Sequence, residues 1–390
     1  MIYKLFPEKD STLYSSDPSM NSGLDPILEA LTEGYDIIQP YPQVSRFLIQ
    51  FNNTELSSLF TSSLQNVDWK AYLKLYNANS SDLSFDSQIY IHLCAKSWSM
   101  GTGCYNNYPE TTNGVSWNFL DYSGSSEWIP SGETFNNSYG NYTGSYNLTS
   151  SDAGGGVWWV LTTGSSDYGW ALSSSITFNY RSDKDINKDV TDLVYQFLGS
   201  GSVEAQIPNY GFLIKQPNFD EFLENLDKQS KFKFFSIDTH TIYPPHLEFR
   251  WDDSTWNTGS SVYTILNDNY PYISIKNNPG SFNIEAVNKF RIFSRPEYPA
   301  RVFQTSSIYT KNYYLPPSSS YAVMDLDTNE YVINFDSQYT KISADSESNY
   351  FSMHMNGLEP ERYYKILISC SIGGSEYIID SKSHFKVKNG

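Results

Sequence analysis

The segment from Asp189 to Trp251 constrains the fold of this chain more than any other part of its sequence. Its first ten residues carry apolar side chains at i, i+3, i+4, i+7 and i+8, which is the spacing of one helical face. These side chains belong to Val190, Leu193, Val194, Phe197 and Leu198. We expect Asp189 to cap the first turn, Asp192 to lie where a carboxylate suits the helix dipole, and Gly199 to end the helix.

Three apolar runs of strand length follow this helix. They are Tyr210–Lys215, Phe232–Ser236 and His246–Trp251. A second short helix is predicted between the first two runs, at Phe219–Leu226, with Asn218 as its cap and Glu221 at the capping-box position. Helices inserted among strands in this way are typical of lids packed on a sheet sandwich. The segment therefore predicts an architecture rather than a chemistry.

The composition of the chain favours an all-β fold. The 390 residues include 32 Tyr, 23 Phe and 9 Trp, in short runs separated by Asn, Gly, Ser and Pro. Such punctuation is typical of β-domains. Alternating patterns predict strands at Ser45–Phe51, Ala71–Asn77 and Ile89–Ala95, and the 3.6-residue spacing predicts a helix at Thr54–Leu64. The length is sufficient for two or three domains, each with its own core.

Charge and targeting signals exclude several classes of protein. The net charge is −17 and no basic run occurs, so a nucleic-acid-binding surface is not expected. No signal peptide and no membrane span are expected, because the opening apolar residues are soon interrupted by charges. Cys94, Cys104 and Cys370 match neither a disulfide framework nor a zinc site. Reduced, buried thiols are favoured, with a Cys94–Cys104 disulfide as the alternative.

A series of motifs runs in order through residues 1–252. They are Asp10–Tyr14 with Asn21-Ser-Gly23, Arg46–Phe51, Ala71–Tyr76, Trp98 and Trp117, and the closing segment with Asp189, Asp192, Gly211 and Pro245. This order resembles the DNRLRE family of jelly-roll-like domains, named for disaggregatase-related repeats. The resemblance implies a jelly-roll-like β-sandwich with short inserted helices over residues 1–252. The chain departs from the family in its longer loops and in Asp238–His240, where the family has basic residues.

Residues 253–390 have a different pattern, which predicts a second β-sandwich. The spacing of Leu358, Pro360 and Tyr364 resembles the L-x-P-x-x-x-Y motif of fibronectin-type-III and related Ig-like domains. That resemblance implies a tyrosine corner, in which the Tyr364 hydroxyl bonds back to the preceding loop. Two long early strands are predicted, at Val262–Ile275 and Asn283–Phe293. Later strands are predicted at Tyr331–Phe335, Phe351–Met355, Lys365–Cys370 and Ser383–Lys388.

No catalytic motif occurs in the sequence, so we expect a protein that is not an enzyme and has no cofactor. His240 and His246 flank a Tyr-Pro-Pro turn and could share a metal ion, but an ordered turn is the favoured interpretation. Asp252-Asp253 and Asp183/Asp185 could act as glycosidase pairs, but a linker and a solvated helix entry are favoured. A calcium ion under residues 183–189 is a further alternative.

Six tryptophans crowd the loop-rich middle of the chain. Trp158, Trp159 and Trp170 are interpreted as anchors that hold long polar loops on the sandwich. For Trp98, Trp117 and Trp128 two interpretations remain open, anchoring and stacking on the sugar rings of a glycan.

Two functions fit these patterns. The opening residues 1–14, joined to a DNRLRE-like domain, resemble structural proteins of tailed phages, particularly contractile-tailed phages of marine cyanobacteria. This resemblance implies a virion protein of the tail, baseplate or neck, assembled in the host cytoplasm in multiple copies and bound to other virion proteins. The alternative is a polysaccharide-binding module that recognises host or environmental glycans. The absence of a signal peptide and of a linked catalytic domain makes this alternative the weaker one.

Overall fold

The computed structural model describes residues 1–33, 43–81, 86–129, 139–140, 154–161, 170–171, 173–199, 207–217, 221, 230–259, 263–267, 270–298 and 312–389. In this part of the chain strands predominate, and the expected all-β sandwich class is confirmed. Two short α-helices have described bounds, α1 (Asn53–Leu59), which a π-helical turn extends to Leu64, and α2 (Thr191–Leu198).

The strands are numbered in chain order. The strands up to residue 251 are β1 (Ile2–Leu5), β2 (Pro7–Tyr14), β3 (Ile27–Glu33), β4 (Gln43–Phe51), β5 (Trp69–Leu75), β6 (Asn77–Ser81), β7 (Ser87–Leu93), β8 (Phe119–Asp121), β9 (Ser126–Glu127), β10 (Tyr139–Gly140), β11 (Trp158–Leu161), β12 (Trp170–Ala171), β13 (Ser173–Phe178), β14 (Ile186–Asp189), β15 (Phe212–Lys215), β16 (Ser230–Phe235) and β17 (His246–Trp251). The later strands are β18 (Tyr263–Ile265), β19 (Pro271–Lys276), β20 (Ser281–Asn283), β21 (Val287–Pro296), β22 (Asn312–Tyr314), β23 (Ser320–Asp325), β24 (Tyr331–Ile333), β25 (Ser343–Ala344), β26 (Asn349–His354), β27 (Tyr363–Ile372) and β28 (Ser375–Lys388).

The chain divides into two compact units. The first unit comprises Leu5–Asn66 and Lys70–Glu248, and the second comprises Met1–Lys4, Val67–Trp69 and Phe249–Gly390. The sequence patterns predict a boundary after residue 252, whereas the second unit also includes short segments from early in the chain. Local periodicity does not reveal such segments, because their assignment depends on contacts between residues far apart in sequence.

The first unit is built on a large antiparallel sheet. Its strand order is β13-β7-β15-β4-β3-β16-β6, and β2 also pairs with β4. Strand β4 is buried along nearly its whole length, because it has neighbours on both edges. Phe212 of β15 lies opposite Ile49 of β4 and Leu93 of β7, so the predicted strands in this region are confirmed at nearly the predicted positions.

Helix α2 packs its predicted face inward. Val190, Leu193, Val194 and Phe197 are buried, and the ring of Phe197 lies 6.1 Å from that of Phe212. The helix ends at Gly199, as predicted, where φ is +80°. It begins at Thr191, two residues later than predicted, because Asp189 is the last residue of strand β14. Of the second predicted helix, Phe219–Leu226, only Glu221 lies within the described residues, and it is helical.

The second unit is a sandwich of two sheets. One has the order β18-β22-β21-β26-β25, with β19 paired to β21, and the other has the order β20-β28-β27-β23-β24. Their inward side chains form one core, to which Phe290 and Ile292 contribute from the first sheet and Val323 and Ile366 from the second. Such interdigitation of two inner faces is what defines a β-sandwich.

The prediction of two long early strands in the second unit is wrong. Val262–Ile275 is divided between β18 and β19, and Asn283–Phe293 is divided between β20 and β21. A turn in which the amide of Ala286 donates to the carbonyl of Asn283 separates the second pair. Strand β23 was not predicted, although its side chains are almost all buried. The apolar run 321–324 is too short for its periodicity to be diagnostic.

Candidate interaction surfaces

The three tryptophans considered for glycan stacking lie in the interior of the first unit. The exposed fraction is 3% for Trp98, 6% for Trp117 and 0% for Trp128. The indole N–H of Trp98 donates to the carbonyl of Tyr210, and that of Trp128 to the carbonyl of Ser116, each at 3.0 Å. A sugar stacks on an exposed ring face, which none of these residues presents. Their positions are those of anchors, the other interpretation left open by the sequence.

A charged cluster adjoins Trp117, and the sequence patterns do not predict it. The guanidinium of Arg46 donates to both carboxylate oxygens of Glu221, at 3.2 and 2.8 Å, and to the carbonyl of Gly155 at 2.9 Å. Both charged side chains are fully buried. The guanidinium carbon lies 5.0 Å from the ring centre of Trp117 and 5.7 Å from that of Trp158. This two-pronged geometry is the strong form of an arginine–carboxylate contact.

Lys215 adds a second cation to what we call the buried charged cluster, Arg46, Lys215 and Glu221. Its Nζ lies 2.8 Å from Glu221 Oε2, and the side chain is 1% exposed. The ring of His92 stacks on that of Trp158, with centres 5.0 Å apart. Burial, followed by the charges of Lys215 and Arg46, holds the pKa of His92 well below its usual value. His92 is therefore neutral, and the cluster contains two cations and one carboxylate.

The sequence carries a partial signal of this cluster. Arg46 directly precedes the apolar run Phe47-Leu-Ile49 of a strand, and Lys215 directly follows the apolar run Phe212-Leu-Ile214 of another. Because Arg and Lys are almost never fully buried unless they are paired, each residue indicates a buried partner. The partner itself cannot be found in this way, since Glu221 lies 175 residues from Arg46 along the chain.

Asn21 organises the loops at one end of the first unit. Its side-chain amide donates to the carbonyls of Met100 and Val115, both at 2.7 Å, and its oxygen accepts from the amides of Gly103 and Gly23 at 2.8 and 3.2 Å. The side chain is fully buried. A Cβ on Gly103 would lie 2.1 Å from the carbonyl oxygen of Asn21, so only glycine fits there. The motif Asn21-Ser-Gly23 is thus a structural joint between loops.

The acidic residues before α2 are occupied by hydrogen bonds within the protein. Asp189 Oδ1 accepts from the amide and hydroxyl of Thr191, at 3.0 and 2.5 Å, and its Oδ2 lies 3.4 Å from Lys70 Nζ. Asp189 therefore serves the first turn, but from the position before the capping residue Val190. Asp192 lies in that first turn, as predicted.

Asp183 and Asp185, the other acids of this segment, also have internal partners. Asp185 Oδ1 accepts the amide of Asn77 at 2.7 Å, and Asp183 Oδ1 accepts the amide of Asp185 at 3.2 Å. No group of three or more His, Cys, Asp or Glu side chains able to hold a metal ion occurs among the described residues. The carboxylates of Asp183 and Asp185 thus accept hydrogen bonds from backbone amides.

Gly211, Pro245 and Tyr364 have structural roles. Gly211 has φ of +87°, and a Cβ there would lie 2.2 Å from the carbonyl oxygen of Ile49, so the neighbouring strand excludes any side chain. Pro245 is buried directly before β17. The hydroxyl of Tyr364 donates to the carbonyl of Glu359 at 2.8 Å, which is the hydrogen bond expected of a tyrosine corner.

The histidines and aspartates considered for metal binding or catalysis have different surroundings. His246 is buried, with its ring 5.9 Å from those of Phe6 and Tyr76, whereas His240 is exposed. Asp252 Oδ1 accepts from the amide and hydroxyl of Ser254 at 2.9 and 2.6 Å. The side chain of Asp253 accepts a hydrogen bond from the amino group of Met1 at 2.9 Å. Both carboxylates therefore accept hydrogen bonds from groups of the same chain.

The three cysteines are free thiols in separate surroundings. Cys94 and Cys370 are buried, and burial raises the pKa of Cys94 to about 12 and that of Cys370 to about 11. The thiol of Cys104 donates to the carbonyl of Leu24 at 3.2 Å. The Cys94–Cys104 disulfide, considered as an alternative from the sequence, is not formed.

Tyrosines account for most of the large apolar side chains that are exposed on the described surface. Ten of the fifteen exposed side chains of this kind are tyrosines: Tyr105, Tyr108, Tyr122, Tyr180, Tyr263, Tyr270, Tyr272, Tyr298, Tyr331 and Tyr363. Tyr108 is 99% exposed and Tyr298 is 85% exposed. Tyrosine combines a large contact area with a polar hydroxyl, and it is enriched in the interfaces of proteins with other proteins.

Comparison of the chain with protein-family models, with curated proteins and with solved structures found no match. The resemblances to DNRLRE domains, to fibronectin-type-III domains and to phage structural proteins therefore stay predictions. The helices in the described part of the chain are too short or too polar to cross a bilayer.

Proposed function

We propose that this chain is a non-enzymatic structural protein of a tailed-phage virion, located on the tail, baseplate or neck. The observation that carries the proposal is the set of exposed tyrosines on a rigid all-β scaffold. Exposed tyrosines support an interaction function, because tyrosine is enriched in the interfaces of proteins with other proteins. The protein would act through surface complementarity with other virion proteins, in multiple copies.

The internal partners of the polar groups support this function over catalysis. The carboxylates considered for acid–base chemistry accept hydrogen bonds from neighbouring backbone amides or hydroxyls. The buried charged cluster lies against the rings of Trp117 and Trp158, and its three side chains are buried, so a substrate in solution does not reach its charges. The opening of the sequence and its domain order, which resemble those of phage structural proteins, supply the more specific part of the proposal.

Cross-linking mass spectrometry of purified virions tests this function. We expect peptides of this chain in the particles, cross-linked to tail-tube, sheath, neck or baseplate proteins. Absence of the chain from particles that contain all other structural proteins would contradict the proposal. Binding of the free protein to a glycan array would then favour the polysaccharide-binding alternative. Substitution of Trp98 or Trp117 would be expected to impair such binding only through misfolding, because both rings are buried.

A further inference from the structure

One face of the second unit combines exposed cations with aromatic rings. It is formed by β19, β21 and β26, and we call it the cationic sheet face. Its residues are Tyr272, Lys276, Lys289, Arg291, Phe293, Arg295 and Tyr350. The alternation of β21 produces it, because Phe290, Ile292 and Ser294 point into the sandwich while the residues between them point outward.

The strand register brings like charges together on this face. Lys276 lies directly opposite Arg291, and Tyr272 lies directly opposite Arg295. On the other side of β21, Arg291 lies opposite Tyr350. Like charges directly opposite each other destabilise a sheet. Binding of an acidic partner over Lys276 and Arg291 would reduce the repulsion between them.

Among the described residues, carboxylates contact two of these four cations. Arg291 binds Asp345 at 3.0 Å and Glu347 at 2.9 Å, and Lys289 binds Asp345 at 3.2 Å. Within the described ranges, Lys276 and Arg295 have no carboxylate partner. Arg295 donates instead to the carbonyls of Pro296 and Glu297. In this part of the chain, the two cations without a carboxylate contact, Lys276 and Arg295, are both exposed to solvent.

The geometry of the rings favours a protein partner over a glycan. The guanidinium carbon of Arg295 lies 4.6 Å from the ring centre of Tyr272, and Lys289 Nζ lies 3.5 Å from that of Tyr350. Cations therefore occupy ring faces on which a sugar would have to stack. Arg and Tyr, by contrast, are the residues that carry most of the binding energy in protein–protein interfaces.

The distribution of charge along the chain identifies an acidic surface for this face. Residues 1–252 contain 14 Lys and Arg against 29 Asp and Glu, a formal charge of −15, whereas residues 253–390 contain 12 against 14, a formal charge of −2. A second copy of the chain therefore offers a strongly acidic region, and in an assembly it is present at high local concentration. Charge complementarity of this kind selects partners and speeds their association.

In one part of the acidic region, carboxylates occur together with exposed tyrosines, which are enriched in protein interfaces. We call it the acidic patch, formed by Asp17, Asp25, Tyr105, Tyr108 and Glu110. The amide of Asn21 donates to the carbonyl of Thr111 at 2.9 Å, which brings the segment of Glu110 beside that of Asp17, and the neighbouring carboxyl of Asp17 raises the pKa of Glu110. Asp25 accepts the amide of Tyr105 at 3.1 Å, which fixes the loop that carries the exposed tyrosines. Two adjacent carboxyls at the surface would gain free energy from a cation between them.

We propose that the cationic sheet face of one copy binds the acidic patch of a second copy. The two surfaces differ, so the contact is heterologous and extends from copy to copy, as a ring or a filament. This inference rests on the proposed structural function, because it names a second copy as one of the partners. The test is nevertheless separate, since cross-linking of virions reports the presence of the chain in particles and association in solution reports this contact.

Sedimentation velocity of the full chain, over a concentration series at about 10 mM and about 1 M salt, tests the proposal. The face variant is Lys276→Glu with Arg295→Glu, two exposed positions without carboxylate partners in the described structure. The matched control is Lys382→Glu with Lys388→Glu, which changes the same charge at exposed positions of β28 on the other sheet. Thermal unfolding of each variant establishes that it is folded.

We expect the unmodified protein to associate at low salt and the face variant to bind at least about 10-fold more weakly, with the control unchanged. The four substitutions Asp17→Lys, Glu110→Lys, Lys276→Glu and Arg295→Glu, combined in one chain, should restore association, because both surfaces then have reversed charge. A monomer at every concentration and salt would overturn the proposal, as would equal losses in the face variant and the control. Loss without restoration would overturn the assignment of the acidic patch. Binding of polygalacturonate by the unassociated protein, lost in the face variant, would assign the face to an anionic glycan instead.

Discussion

Cations lie over aromatic rings in both units, but in opposite surroundings. In the first unit Arg46 is buried beside Trp117 and Trp158, and Glu221 matches its charge at hydrogen-bond distance. In the second unit Arg295 lies over Tyr272 on an exposed face, without a carboxylate partner among the described residues. A buried charge must be matched within the protein, or the fold loses stability. An exposed charge is under no such constraint and remains available to a partner. Burial, rather than the chemistry of the pair, decides whether a charge must be matched within the protein.

The largest effect predicted by this comparison follows removal of the charge of Glu221. The substitution Glu221→Gln removes the carboxylate that contacts both Arg46 and Lys215, and breaking a buried ion pair in this way costs about 3–5 kcal/mol. We expect a decrease of this size in the free energy of unfolding, measured by urea denaturation with tryptophan fluorescence. The fluorescence should respond directly, because Trp117 and Trp158 adjoin the cluster.

Glu347→Gln is the matched control for this substitution. Glu347 also binds an arginine, with 2.9 Å between its Oε2 and Arg291 Nη2, but its side chain is 60% exposed. Exposed ion pairs contribute about 0–1 kcal/mol, because water solvates both charges when the pair is broken. If the two substitutions proved equally harmful, burial would not be the property that separates the two kinds of contact.

Asp10 predicts an effect of pH on the stability of the first unit. Burial, together with the charges of Asp238 and Asp25 and against the hydrogen bond from the amide of Ile237, raises the pKa of Asp10 to about 8. The folded protein therefore keeps a proton that the unfolded chain releases near pH 4, so this contribution to stability is complete below about pH 4 and declines up to about pH 8. Asp10→Asn should remove a decline of about 3 kcal/mol between pH 5 and pH 8, since one unit of pKa corresponds to about 1.4 kcal/mol.

Urea denaturation at a series of pH values measures this decline. Asp183→Asn, at an exposed loop position, is the control and should follow the pH profile of the unmodified protein. Parallel profiles for Asp10→Asn and the unmodified protein would mean that Asp10 is ionised in the folded state. The protein would then bury a carboxylate that has no cation partner without losing stability. This would contradict the rule that a buried charge must be matched within the protein.

The secondary structure was largely predictable from the sequence, and the contacts between distant residues were not. The helical face of α2, its end at Gly199 and the strands that follow it depend on local periodicity, which is visible in the sequence. Helix α2 begins later than predicted because strand β14 extends to Asp189, and its pairing with β5 is a contact over more than a hundred residues. The second unit takes in Val67–Trp69 for the same reason.

The same limit applies to the candidate sites. The sequence left two interpretations open for Trp98, Trp117 and Trp128, because whether a ring is exposed depends on loops that fold over it. Arg46 and Lys215 stand out in apolar strands, yet nothing nearby indicates Glu221. The cationic sheet face was not predicted either, because no basic run exists and its four cations meet only through the register of β19, β21 and β26. Tyr364 was predictable, since its corner is a contact over five residues.

That corner gives a smaller expected effect on stability. Tyr364→Phe removes one hydroxyl, whose hydrogen bond to the carbonyl of Glu359 is 2.8 Å long and largely shielded from water. We expect a loss of about 1 kcal/mol in the free energy of unfolding of the second unit. The neighbouring Tyr363 is 51% exposed, so Tyr363→Phe should change the stability very little. Equal effects of the two substitutions would show that the corner hydrogen bond contributes no more to stability than an exposed hydroxyl does.

The smallest effect on stability is expected from a substitution in the exposed pair of Arg295 and Tyr272. Arg295→Ala removes a cation that contacts Tyr272 and donates to two backbone carbonyls, but all of these groups remain accessible to water after the change. An exposed cation–π contact contributes as little as about 0.5 kcal/mol, and water hydrogen-bonds the freed carbonyls after the change. We therefore expect the free energy of unfolding to change by less than about 0.5 kcal/mol, while association between copies at low salt is weakened. A large decrease in the free energy of unfolding would mean that Arg295 stabilises the fold. Exposure would then not distinguish cations that are available to a partner from cations that hold the structure together.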